Sequence, residues 1–170
     1  MATSDRNIVI TGFMGTGKST VGRLVAELLQ RPFVDADEET VKRVGMTIPQ
    51  IFASYGEEGF RHIEKRICRY YAAQRGYVIA TGGGMLVDGG NRVVMVASAF
   101  VVCLNAPPEV IRQRLTQDPA ERPLLAGDWL TLLEQRKPAY AEIPYQVDTS
   151  GKTPDEVAQE IVELWQNASV

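Results

Sequence analysis

The strongest constraint on the fold is a nine-residue loop that follows a short apolar run. Residues 12–20 read GFMGTGKST and follow the run IVI at residues 8–10 after one threonine, Thr11. This loop matches the pattern GxxxxGK[ST], in which backbone amides surround phosphate groups, the lysine reaches the β- and γ-phosphates and the hydroxyl ligates Mg²⁺. Apolar side chains at helical spacing follow it in residues 21–29. The sequence therefore predicts a strand, a phosphate-binding loop and a helix, with nucleotide contacts from Gly12, Gly15, Thr16, Gly17, Lys18, Ser19 and Thr20.

Five apolar segments separated by helical patterns predict the fold class. The predicted strands cover residues 8–11, 32–36, 77–81, 100–105 and 145–149. Continuous apolar strands that alternate with helices favour a parallel sheet covered on both faces, so we predict a three-layer, doubly wound α/β fold. The chain of 170 residues is expected to form one domain. Residues 118–128, DPAERPLLAGD, lack helical periodicity and are predicted to be a mobile flap.

Composition and charge exclude several classes of partner. The net charge is −3, whereas nucleic-acid-binding domains carry a clustered basic face, so we expect no nucleic-acid partner. The longest apolar stretch, residues 93–104, is shorter than the ~20 residues of a membrane span, and the first residues lack the apolar core of a signal peptide. Two distant cysteines do not make a disulfide framework or a metal site. These features predict a cytoplasmic protein without a membrane partner.

Two acidic residues follow the second predicted strand. Ligands of open α/β sheets bind beyond the carboxyl ends of the strands. The second strand ends in VDAD, so Asp35 and Asp37 would lie on one side of an extended chain and face the phosphate loop. One carboxylate could hold Mg²⁺, directly or through water, and the other could accept the hydrogen of an attacking hydroxyl. Alternatively, the pair caps a helix that begins near Glu38.

Two further segments suggest an acceptor site. The third strand ends in IATGGGM without a carboxylate, which favours Asp35 as the metal-side acid. Residues 82–84, here called the GGG turn, would let a substrate approach the backbone closely, or they form a plain turn. Arg61 lies at helical spacing from Glu57 and Glu64. Without a functional role, this triplet would form a row of ion pairs on the helix surface.

Six motifs together resemble one family. GFMGTGKST, FVDAD, IFASYGEEGFRHIE, ATGGG, RPLL and LEQRKPAY occur in the order found in shikimate kinases and span residues 8–149. The resemblance implies transfer of the γ-phosphoryl group of ATP to the 3-hydroxyl of shikimate, with Mg²⁺, in the pathway to aromatic amino acids. It also implies the sheet order 2-3-1-4-5 and a lid, as in nucleoside monophosphate kinases.

The resemblance further implies roles for individual residues. Asp37 would be the partner and base of the substrate hydroxyl, while Ser19 would ligate Mg²⁺ and Asp35 would lie beside the ion. Arg61 and Arg136 would clamp the shikimate carboxylate, and Gly82, Gly83 and Gly84 would contact the ring hydroxyls. Arg122 would be the lid arginine. Arg114 and residues 150–153 would contact the adenine. Ala139 departs from the usual leucine of the RxPLY motif, and IPYQV departs from the segment that usually follows.

Other functions share parts of this pattern. Another small-molecule kinase of the same architecture, acting on gluconate or a nucleoside monophosphate, would also carry the phosphate loop. A regulatory protein that binds nucleotide without an acceptor is a further alternative, although a guanine-reading NKxD motif is replaced by NAPPE after the fourth strand. The expected partners are shikimate and ATP, and the expected state is a monomer.

Overall fold

Five parallel strands alternate with helices in the computed structural model, which describes residues 4–117 and 128–169. The strand order is β2-β3-β1-β4-β5, which confirms both the doubly wound fold and the predicted order. The strands are β1 (Asn7–Gly12), β2 (Phe33–Asp35), β3 (Val78–Ala80), β4 (Ala99–Asn105) and β5 (Tyr145–Asp148). The helices are α1 (Lys18–Leu29), α2 (Ala36–Val44), α3 (Ile48–Ala72), α4 (Gly89–Ser98), α5 (Pro108–Gln117), α6 (Trp129–Ala141) and α7 (Pro154–Ala168).

Each face of the sheet is buried against a different set of helices. Side chains alternate along β1, so Val9 packs in one cluster with α3 and α4, whereas Ile8 and Ile10 pack in a second cluster with α1 and α7. All three are fully buried. This double burial explains why the strands are apolar throughout rather than alternating with polar residues.

The turn after β2 differs from the prediction. β2 ends at Asp35, and α2 begins at Ala36 rather than near Glu38. Asp35 Oδ1 accepts hydrogen bonds from the backbone N–H groups of Asp37 (2.9 Å) and Glu38 (3.1 Å), and this capping starts the helix directly at the strand end. The expected extended geometry of Asp37 is therefore wrong, because Asp37 lies in the first turn of α2.

Two remaining predictions concern the flap and the membrane. Residues 118–127 of the predicted flap lie outside the described residues, as does the predicted lid arginine, Arg122. Within the described ranges, no helix combines the length and hydropathy needed to cross a membrane.

Candidate active site

The phosphate-binding loop connects β1 to α1 through backbone conformations that favour glycine. Gly15 and Gly17 have φ values of 76° and 92°, so side chains there would strain the loop. The Lys18 ammonium donates to the Phe13 carbonyl at 2.9 Å, and the Thr16 hydroxyl donates to the same oxygen at 2.6 Å. The lysine thus lies across its own loop, where phosphate oxygens can replace the carbonyl as its partner.

A cavity of about 660 Å³ opens beyond the carboxyl ends of β1, β2 and β3. It brings together the predicted site residues of the described chain except Gly12, which ends β1 and packs against the Leu104 carbonyl. Arg122 lies outside the described residues. The predicted residues that line the cavity are Gly15, Thr16, Gly17, Lys18, Ser19, Thr20, Asp35, Asp37, Arg61, Gly82, Gly83, Gly84, Arg114 and Arg136.

Asp35 caps helix α2 and also contacts the phosphate-binding loop. One carboxylate oxygen caps α2, and the other accepts a hydrogen bond from the Ser19 hydroxyl. Both groups line the cavity beside the loop and are hard oxygen donors of the kind that Mg²⁺ prefers. In the described ranges, no group of three or more His, Cys, Asp or Glu residues is arranged to hold a metal. The two oxygen donors, Ser19 and Asp35, fit an ion such as Mg²⁺ that takes few protein ligands and completes its shell with phosphate and water.

Arg136 presents an unpaired hydrogen-bond donor inside the cavity. Its side chain is buried, with 5% of the residue exposed, and within the described chain its Nη1 has no hydrogen-bond partner. The guanidinium lies over the Phe13 ring, 5.7 Å from the centroid. A buried donor without a partner costs free energy, so this guanidinium favours an anionic ligand that enters the cavity.

Arg61 is oriented by a buried acid rather than by a surface ladder. Its Nη1 lies 2.8 Å from Oε1 of Glu64, whose side chain is only 3% exposed, while the exposed Glu57 is more distant at 3.6 Å. Burial raises the pKa of Glu64 to about 6, although the charge of Arg61 and its hydrogen bond oppose this shift. The buried pair fixes one face of the guanidinium and leaves it lining the cavity.

The GGG turn packs against three predicted functional side chains at once. A Cβ on Gly82 would lie 2.7 Å from Asp37 Oδ1, and one on Gly83 would lie 3.1 Å from Arg136 Nη1. A Cβ on Gly84 would collide with the Arg61 guanidinium. The three glycines therefore serve close approach rather than a plain flexible turn, and they place Asp37, Arg61 and Arg136 around one short segment of backbone.

Arg114 connects the phosphate-binding loop to the end of β5. Its guanidinium donates to the Gly15 carbonyl at 3.1 Å and to the Thr149 hydroxyl at 2.9 Å. Lys152, within the segment predicted to flank the adenine, also lines the cavity and is paired with Glu160 at 2.8 Å. The predicted adenine side is thus continuous with the phosphate-binding loop.

Sequence reasoning missed an apolar wall and a supporting hydroxyl. Ile48, Phe52 and Phe60 line the cavity, but in the sequence they are indistinguishable from core residues at helical spacing. Tyr140 donates a hydrogen bond of 2.6 Å to the Gly83 carbonyl. Its position one helical turn after Arg136 in QRKPAY was the only available signal.

This chain is similar to known shikimate kinases over most of its length. The family model described as shikimate kinase matches residues 14–166. Among curated relatives, the shikimate kinase of Caldanaerobacter subterraneus is 41% identical and covers 94% of this chain and 96% of its own. The one from Geobacter sulfurreducens is 44% identical, with 92% of this chain and 88% of its own covered. A solved structure of shikimate kinase from Acinetobacter baumannii in complex with shikimate aligns with a TM-score of 0.92 at 37% identity over 99% of this chain and 97% of its own.

Proposed function

The chain belongs to the shikimate kinase family, and we propose that its cavity holds shikimate beside Arg61 and Arg136 and the γ-phosphate of ATP beside Lys18. The protein is an ATP-dependent kinase that converts shikimate to shikimate 3-phosphate and ADP. Different residues that line the cavity carry out binding and transfer. We also assign the protein to the cytoplasm and expect it to act as a monomer.

The observation that carries the substrate assignment is the buried Nη1 of Arg136, which has no hydrogen-bond partner in residues 4–117 and 128–169. With Arg61, it supplies two planar guanidinium groups next to one glycine turn. A guanidinium binds a carboxylate through two parallel hydrogen bonds, which supplies both charge and orientation. The carboxylate of shikimate satisfies the donor that the protein leaves unpaired, while the backbone of the GGG turn contacts the ring hydroxyls.

In the proposed reaction, Asp37 acts on the attacking hydroxyl. Its Oδ1 lies against Gly82, in the same cavity as the phosphate-binding loop. In the transfer, the 3-hydroxyl oxygen bonds to the γ-phosphorus while the bond from that phosphorus to the bridging oxygen of ADP breaks. Asp37 orients the hydroxyl and accepts its hydrogen. Lys18 moves from the Phe13 carbonyl to the phosphates and balances their charge.

The remaining loop residues bind the nucleotide and its metal. The Ser19 hydroxyl would ligate Mg²⁺ and Asp35 would support it, a role consistent with their hydrogen bond. The bound ion neutralises charge on the β- and γ-phosphates. Amides of residues 15–20 surround the phosphates, and Arg114 with residues 150–153 flanks the adenine.

An acceptor panel tests the function. ADP release is measured through a coupled assay with shikimate, gluconate, a set of nucleoside monophosphates, or no acceptor. Of these acceptors, we expect only shikimate to give rapid turnover, because the proposed site binds its carboxylate through the arginine pair and its ring hydroxyls through the glycine turn. Equal turnover with gluconate would favour a sugar-acid kinase. Turnover that no acceptor stimulates would favour a regulatory nucleotide-binding protein.

A further inference from the structure

Helix α3 is broken at Gly56, close to the cavity. Gly56 has φ 70° and ψ −179°, while the residues around it in α3 are helical. This combination of angles is accessible essentially only to glycine. Gly56 is exposed, and a Cβ there would meet no atom within 4 Å, so lack of space does not explain the glycine. The backbone conformation explains it.

The break brings together two aromatic rings that a straight helix would separate. The ring centroids of Phe52 and Phe60 are 4.9 Å apart. Eight residues of continuous α-helix advance about 12 Å along the axis, and both side chains lean toward the N-terminus, so a straight helix could not bring these rings into contact. A Cβ on Gly59 would likewise overlap that of Tyr55, although helical residues four apart normally keep their Cβ atoms about 5–6 Å apart.

Both rings line the cavity, and Phe60 lies beside Arg61. Phe52 and Phe60 line the cavity, as does Ile48 in the helical segment before the break. The Arg61 guanidinium lies 5.2 Å from the centroid of the Phe60 ring. The segment before the break therefore supplies apolar side chains, and the segment after it supplies the cation.

We propose that Gly56 is a positioning residue for substrate recognition, because its glycine-only conformation turns residues 48–55 so that Ile48 and Phe52 form an apolar wall over the carbon ring of the acid. Gly56 itself does not touch the substrate. This inference rests on the proposed function, which places a cyclic carboxylic acid beside Arg61. The wall and the arginine then contact the ring and the carboxylate of the same molecule.

A matched pair of glycine substitutions tests the proposal. Gly45 is also exposed, also has a positive φ (76°) and also has no atom within 4 Å of a Cβ, but it ends α2 and does not line the cavity. We expect Gly56→Ala to raise the KM for shikimate about tenfold or more and to change the KM for ATP less than about twofold. Gly45→Ala should change neither KM. Equal effects of the two substitutions on shikimate would overturn the proposal.

A double-mutant cycle tests whether Gly56 acts through Phe52. If it does, Phe52→Ala alone raises the KM for shikimate, and adding Gly56→Ala to it produces little further increase. Effects that multiply would show that Gly56 acts independently of the wall. Turnover of the unsubstituted protein with shikimate is measured first, and its absence would overturn the proposed function rather than this inference.

A change of chirality keeps the test decisive even if Gly56→Ala does not fold. The full chain can be assembled by joining a synthetic segment of residues 1–67 to residues 68–170 at the natural Cys68, with D-alanine or L-alanine at position 56. For a D-residue, the angles at Gly56 mirror the ordinary extended region of L-residues. The D-alanine protein should therefore fold and bind shikimate as the glycine protein does. The same defect with both enantiomers would overturn the proposal.

Discussion

At the scale of single residues, the hydroxyl of Tyr140 joins helix α6 to the GGG turn. Tyr140 is 5% exposed, and burial raises its pKa to about 12, so its hydroxyl is neutral at physiological pH and donates to Gly83. A planar peptide group that points its C=O toward Tyr140 points its N–H in the opposite direction. The hydroxyl therefore fixes the orientation of a turn that we propose contacts the substrate.

Removing this hydroxyl should weaken shikimate binding selectively. We expect Tyr140→Phe to raise the KM for shikimate about fivefold to tenfold, which corresponds to the roughly 1–1.5 kcal/mol of one hydrogen bond, with the KM for ATP unchanged. Tyr71→Phe is the matched control, because Tyr71 is equally buried, at 6% exposure, and does not line the cavity. If Tyr140→Phe and Tyr71→Phe changed the KM for shikimate and the KM for ATP to the same extent, the proposed role of the Tyr140 hydroxyl would be wrong.

Glu64 makes the stability of the ligand-free protein depend on pH. The folded pKa of about 6 lies above the ordinary value of 4.5, so the folded state holds the proton more tightly than the unfolded state does. The stabilisation is therefore complete below about pH 4.5 and is lost as pH rises through 6. Relative to Glu64→Gln, the unsubstituted protein should lose on the order of 2 kcal/mol of unfolding free energy across this window. Urea unfolding of both proteins at a series of pH values measures the difference, and parallel curves would contradict the assignment.

At the scale of elements, the sequence predicted the strands well because burial on both faces makes them continuously apolar. The prediction for Asp37 was wrong because it extended the strand geometry past Asp35. Asp35 caps α2, so Asp37 already lies in that helix. The break in α3 was not predicted, since SYGEEG contains two glycines, Gly56 and Gly59, within a helical pattern, and only the φ and ψ angles show that the helix breaks at Gly56. The phosphate-binding loop was predictable because its function requires a fixed local pattern.

A substitution at Asp35 can separate its role as a helix cap from its proposed role beside Mg²⁺. Asparagine caps a helix about as well as aspartate, so Asp35→Asn should change the unfolding free energy by less than about 0.5 kcal/mol. The lost charge beside Ser19 should raise the Mg²⁺ concentration needed for half-maximal turnover several-fold. Glu39→Gln removes a charge from the same first turn of α2 away from the cavity and serves as the control. If Asp35→Asn lowered the unfolding free energy but left the Mg²⁺ concentration for half-maximal turnover unchanged, Asp35 would act only as a helix cap.

At the scale of the whole molecule, the parallel sheet places residues that are distant in sequence around one cavity. The order β2-β3-β1-β4-β5 puts the phosphate-binding loop between the acids after β2 and the end of β5. Arg114 crosses from α5 to both the loop and Thr149, which ties the nucleotide side to the sheet. Arg61 on α3 and Arg136 on α6 reach the GGG turn from separate helices. We therefore expect the cavity to bind a nucleotide and a small acid through different elements that meet at one end of the sheet.

The central claim is that Arg136, which is buried and whose Nη1 has no hydrogen-bond partner among the described residues, recognises the carboxylate of the acceptor. The most direct measurement compares kcat/KM for shikimate and for its neutral carboxamide in the unsubstituted protein and in Arg136→Ala, as a double-mutant cycle. We expect the unsubstituted protein to prefer shikimate by about 1.5–3 kcal/mol, as for a hydrogen bond to a charged group, and Arg136→Ala to lose most of this preference. The same preference in both proteins would show that Arg136 does not contact the carboxylate and would contradict the claim.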